Sequence, residues 1–79
     1  MVKKGDIITL SLDINNKSKS YLISDRLNDM EQGQGGWLCV DIEALHEKGI
    51  DNISHFDCWR ITDKYLNMQI QRGIIKINN

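Results

Sequence analysis

Asp6-Ile7-Ile8-Thr9-Leu10-Ser11-Leu12-Asp13-Ile14-Asn15 is the stretch that decides the fold class. Ile8, Leu10, Leu12 and Ile14 alternate with Thr9, Ser11 and Asp13, the two-residue period of a strand with one buried face. Asn15-Asn16-Lys17-Ser18 then breaks the alternation with residues that tolerate turn conformations. A second run, Ser20 to Leu27, sets Tyr21, Ile23 and Leu27 on one side with Asp25 interrupting, so the two runs predict a β-hairpin.

Further along, Asn28 to Gly36 has Met30 as its one apolar residue and ends in Gly33-Gln34-Gly35-Gly36, which predicts a flexible loop. A phosphate-binding loop would continue into Gly-Lys-Ser/Thr, whereas Trp37-Leu38-Cys39 follows here. Alternation resumes at Trp37–Ile42. It sets Leu38, Val40 and Ile42 on the expected inner side and Trp37, Cys39 and Asp41 on the other. Asp41 is a suitable cap for a short helix over Ile42–Lys48, and Gly49 supplies its stop. Residues 51–61 fit either period, with Cys58-Trp59-Arg60-Ile61 read as extended. Thr62 caps a helix over 63–72 that Arg72-Gly73 ends, and Ile74–Ile77 closes as a final strand.

The order β-β-loop-β-α-β-α-β over residues 1–79, with no linker and no repeat, predicts one small α+β domain. Its short connections suit an antiparallel, partly curled sheet carrying one or two short helices. The opening Lys3-Lys4-Gly5-Asp6-Ile7-Ile8 resembles the first strand of small SH3-like barrel proteins, many of them phage-encoded. That resemblance implies a binding scaffold.

At 79 residues, 41% hydrophobic and 27% charged, the chain has the composition of a globular protein with one modest core, and dimerisation would add buried area. No signal-peptide core follows the N-terminus and no apolar run approaches a membrane span. Two cysteines are fewer than a small secreted domain usually carries, which predicts reduced thiols in a cytoplasm. Abundant Lys, Asn and Ile without proline match AT-rich coding sequence, as in a low-GC bacterium or a phage or mobile element within one.

Charge is unevenly placed. Residues 27–63 hold eight acids against Lys48 and Arg60, a balance of −6, although the whole chain carries only −1. This speaks against a dedicated nucleic-acid binder and for a basic partner. Asp29, Glu31, Glu43, Glu47, Asp51 and Asp57, with Trp37 and Trp59 as aromatic anchors, are therefore the candidate contacts to a host protein with a basic surface. The opposing alternative places Lys3, Lys4, Lys17, Lys19 and Arg26 on one hairpin that meets DNA or RNA. A third places a small ligand between subunits near Trp37 or Trp59.

Every cysteine and histidine lies in Cys39-x6-His46-x8-His55-x2-Cys58. Thiolates and imidazoles are zinc donors, yet only the last spacing is a usual zinc-knuckle one, so the set stands as an alternative Zn site rather than an expected cofactor. The same groups as a cysteine nucleophile and base would need an electropositive niche, and their surroundings are acidic. The sequence therefore predicts a non-enzymatic binding protein of a phage or mobile element that occupies a host surface, such as an inhibitor of a nucleic-acid-handling defence system.

Overall fold

The computed structural model describes residues 2–12, 17–31 and 33–78. Five strands form one antiparallel sheet: β1 (Ile7–Leu12), β2 (Lys17–Glu31), β3 (Gln34–Asp41), β4 (Cys58–Thr62) and β5 (Ile75–Asn78). Two helices accompany them, α1 (Ile42–Lys48) between β3 and β4, and α2 (Asp63–Gln71) between β4 and β5. The spatial order is β4-β3-β2-β1-β5, so β1 to β4 form a meander and α2 carries the chain from one edge of the sheet to the other. The expected end of the first strand and the turn after it lie outside the described residues.

β1 begins after a turn that Asp6 holds closed. Its carboxylate accepts from the Lys3 amide at 3.0 Å, and the Asp6 carbonyl accepts from the Ile23 amide at 2.8 Å, which locks the turn onto β2. The alternation of β1 then puts Ile8 opposite Tyr21 on one side and Ile77 on the other, and Leu10 opposite Ile75. These side chains share a face with Ile23, Cys39 and Ile61, over which α2 lays Leu66 and Ile70. Ile8, Ile23, Cys39, Ile61, Leu66 and Ile75 are at most 2% exposed. Each such aliphatic side chain contributes roughly 1.5–3 kcal/mol on burial, so this face holds the fold.

Both helices start where their caps predict. Asp41 Oδ1 accepts from the amides of Glu43 and Ala44 at 3.0 and 3.4 Å, and Thr62 Oγ1 accepts from the Tyr65 amide at 3.2 Å. Arg26 donates two 2.7 Å bonds to the Asp63 carboxylate, joining β2 to the first turn of α2, and its guanidinium lies 5.0 Å over the Trp37 ring. The Arg26 cation holds Asp63 below the ordinary carboxylate range.

Three expectations fail. Asn28–Gly36 is not a loop: β2 runs on to Glu31, β3 starts at Gln34, and Leu27 pairs with Gly36 and Glu31 with Gln34. The glycines serve close approach rather than freedom. A Cβ on Gly36 would collide with Met30 Sδ and the Ile61 carbonyl. Second, an extra residue between Ile23 and Asp25 shifts the β2 register, so Arg26 instead of Leu27 continues the Tyr21–Ile23 face. Third, the faces of β3 are reversed. Cys39 is fully buried and Trp37 packs against the core, while Leu38 and Val40 lie half-buried on the opposite face beneath α1. Alternation in β3 is apolar on both sides, because both sides are covered, so period alone carries no sign of which is inner. Ile42 has already entered α1.

Candidate interaction surface around the connection from α1 to β4

Residues 49–57 join α1 to β4 through two short 3-10 turns, Ile50–Asn52 and His55–Asp57. Asp57 ties the connection together. Its Oδ2 accepts from the Ser54 amide at 3.0 Å and the Ser54 hydroxyl at 3.2 Å, and both oxygens accept from Lys48 Nζ at 3.0 Å. The Ser54 amide first, and the Lys48 ammonium after it, hold this carboxyl below its ordinary range. Asn52 Nδ2 adds a 2.9 Å bond to the Lys48 carbonyl. A braced backbone of this kind fixes the direction of the side chains it carries.

Those side chains point outward. Ile50 is 78% exposed and Phe56 is 86% exposed, with the His55 ring stacked 4.1 Å from Phe56. Beside Ile50, the outer face of the sheet forms a groove of about 290 Å³, whose apolar walls are Leu22, Leu38, Val40, Leu45, Ile50 and Ile53. Single exposed apolar residues are ordinary on a protein surface, whereas a contiguous patch marks an interaction site.

Ion pairing sorts the charges. Lys4–Asp25, Lys19–Asp41, Arg26–Asp63 and Lys48–Asp57 pair at 3.9, 2.9, 2.7 and 3.0 Å. Glu43, Glu47 and Asp51 are on α1 and the turn that follows it, and none pairs with a described residue. Glu47 and Asp51 flank Ile50 in the chain, whereas Glu43, in the first turn of α1, acts on the Lys19 ammonium.

The candidate contacts read from sequence are thus divided. Glu43, Glu47 and Asp51 follow one another along α1 and the turn after it. Asp57 is spent on the brace, Trp37 lies under Arg26, and Asp29 sits apart on the far arm of β2 beside Met30 and Arg60. The Glu31 side chain lies outside the described residues. Ile50 and Phe56 escaped the sequence reading as contacts: Phe56 fits a helical period with Ile53 and Arg60 in a stretch that fits a strand period as well, and Ile50 stands alone between Gly49 and Asp51.

On the core face, beside the first turn of α2, aromatic residues gather. Tyr21 and Trp59 are 5.2 Å apart, and Tyr65 meets Trp59 edge-on at 6.3 Å. Tyr21 and Trp59 border a recess of about 250 Å³ that Phe56 and the Lys19–Asp41 pair also line. Partial burial pushes the Asp41 carboxyl up, but the Lys19 ammonium and the α1 amides outweigh it and hold it below its ordinary value. Lys19 is raised in return by the same hydrogen bond, and burial raises the Tyr21 hydroxyl.

The alternative zinc set does not assemble. Cys39 faces the core opposite Trp59, whereas Cys58 is one residue before Trp59 and faces the other way, its thiol directed at the Ser54 carbonyl at 3.5 Å. His46 and His55 are exposed. Among the described residues no three His, Cys, Asp or Glu side chains are placed to hold a metal ion. Burial pushes the Cys39 thiol up to about 12, which leaves it protonated and inert as a nucleophile at neutral pH. In the basic hairpin, Lys4, Lys19 and Arg26 have acid partners, the Lys4–Asp25 pair at 3.9 Å being exposed on both sides.

No family model, no curated protein and no solved structure matches the chain. No helix among the described residues is long and apolar enough to cross a membrane.

Proposed function

We propose that this chain is a non-catalytic binding protein whose interface is the α1–β4 connection with the outer sheet groove beside it. Its partner is a host protein that presents an apolar surface rimmed by basic residues. One observation carries the reading: Ile50 and Phe56 stand exposed on a braced connection, and Glu47 and Asp51, which flank Ile50 in the chain, have no ion pairs to described residues. A domain of this size has little apolar area to spare, so two large side chains left outside the core favour use in a contact. The acids contribute specificity and association rate toward a basic surface.

The order β4-β3-β2-β1-β5, with a long bulged β2 shared by two neighbours, supports an SH3-like scaffold for this surface. The AT-rich residue bias supports a phage or mobile element as its source, acting in the host cytoplasm. Occupying a surface needs no chemistry, and blocking a nucleic-acid-handling defence protein is the form of inhibition that an acidic contact suits best.

Affinity capture from host lysate tests the reading, with the wild-type chain and an Ile50→Ser/Phe56→Ala variant run side by side. The reading requires a protein retained by wild type and depleted with the variant. Equal retention by both, or no protein retained by wild type, overturns it.

A further inference from the structure

The aromatic recess points to a site that the exposed connection does not explain. We propose that it is a subsite for an arginine side chain of the partner, which enters by exchanging with the chain's own Lys19. The proposal rests on the partner being a protein with a basic surface.

Size, charge and exposure agree. At about 250 Å³ the recess lies below the roughly 300–1,000 Å³ of small-molecule pockets, which suits one long side chain rather than a free ligand. Tyr21, Trp59 and Phe56 line it with aromatic rings. A cation is already held there. Lys19 Nζ lies 6.0 Å from the centre of the Tyr21 ring and 2.9 Å from Asp41 Oδ2.

The pair is asymmetric: the Asp41 side chain is 15% exposed and the Lys19 side chain is 41% exposed. The anion is thus fixed inside and its cation lies toward water. Asp41 Oδ1 is committed to the amides that start α1, which anchors the carboxylate, whereas Oδ2 has Lys19 as its one hydrogen-bond donor among the described residues. Lys19 can swing out at little cost, because its ammonium already lies toward water and the incoming cation takes its place beside Asp41. Guanidinium is the better occupant. It is planar, more weakly hydrated than ammonium, and stacks on an aromatic ring while donating to a carboxylate. The second carboxylate of the recess, Asp57, has its oxygens engaged by Ser54 and Lys48, which leaves Asp41 to receive the guanidinium.

Titration of the 15N-labelled full chain with N-acetyl-arginine methylamide, read at the two indole N–H signals, tests this. The Trp59 indole shifts and the Trp37 indole, covered by Arg26, stays still. The lysine analogue binds more weakly. Lys19→Met, or Lys19→Gln if the first does not fold, binds the arginine probe about threefold tighter, the scale of one exposed ion pair lost as a competitor. Absence of a Trp59 shift in both wild type and variant, or equal movement of both indoles, overturns the proposal. The two readings fail separately. A protein retained by wild type and lost with Ile50→Ser alone, without an arginine-dependent Trp59 shift, removes the subsite alone, and the shift without any captured protein removes the proposed function alone.

Discussion

Under α2 the sheet keeps Ile8, Ile23, Ile61 and Ile75 at 2% exposure or less. On its opposite face, under α1 and the turn that follows, Leu22, Leu38 and Val40 stay half-buried while Ile50 stands in solvent. Both faces are apolar. One is closed by a nine-residue helix that Arg26 and Thr62 pin at its start, and the other is covered only in part by a seven-residue helix and two tight turns. The difference teaches where stability ends and recognition begins: side chains on the closed side act on folding, and those on the open side are available to act on a partner.

Truncation of the closed side is the largest way to break that comparison. Leu66→Ala or Ile23→Ala leaves a cavity in the core and costs about 2–5 kcal/mol, a large share of the roughly 5–15 kcal/mol that holds a small domain. Urea unfolding reads it directly. A cost below about 1 kcal/mol for both variants would mean that α2 does not close a packed core.

The pH dependence of melting comes next and has two limbs. Asp41, Asp57 and Asp63 are held below their ordinary values, so their contribution is complete above the unfolded carboxylate value of about 3.9 and is lost as pH falls through their lower folded values. Cys39, Tyr21 and Lys19 are raised, so their contribution is complete below their unfolded values. It is lost as pH rises, beginning near 9.0 with Cys39, whose folded value of about 12 marks the upper end. Thermal melts from pH 3 to 11 thus give a plateau that falls at both ends; a melting temperature that rises on acidification below about pH 4 contradicts the paired carboxylates.

A smaller effect isolates the brace. Asp57→Asn removes the charge that Lys48 and Ser54 share, and speeds amide hydrogen exchange across 50–57 while leaving the amides of β1 and β5 protected. Uniform loss of protection would place Asp57 in the core network instead. The smallest effect is chemical: in the native protein Cys58, half-buried on the outer face, reacts with a disulfide reagent before Cys39, and the reverse order would contradict the assigned faces of β3 and β4.

Local chemistry was legible wherever one residue decides one feature. Asp41, Gly49 and Thr62 mark helix ends because caps act within a few residues, and the alternation from Ile8 to Leu12 shows a strand because one side faces water. Tertiary choices were not legible. The extra residue near Ser24 moves Leu27 to the other face, and only the paired strand reveals it. Gly35 and Gly36 suggest a loop, whereas their missing side chains admit Arg26 and Met30. At the candidate surface the acids Glu43, Glu47 and Asp51 stood out through composition. Ile50 and Phe56 did not, since what distinguishes them is burial withheld, and that is a property of the folded chain.

The most direct test of the account pairs two readings on one Ile50→Ser/Phe56→Ala variant: its urea unfolding and its capture of the host protein that wild type retains. The account predicts unfolding within about 0.5 kcal/mol of wild type for each replaced surface position, together with loss of capture. Unfolding weakened by as much as Leu66→Ala, with capture unchanged while the protein is folded, would contradict it.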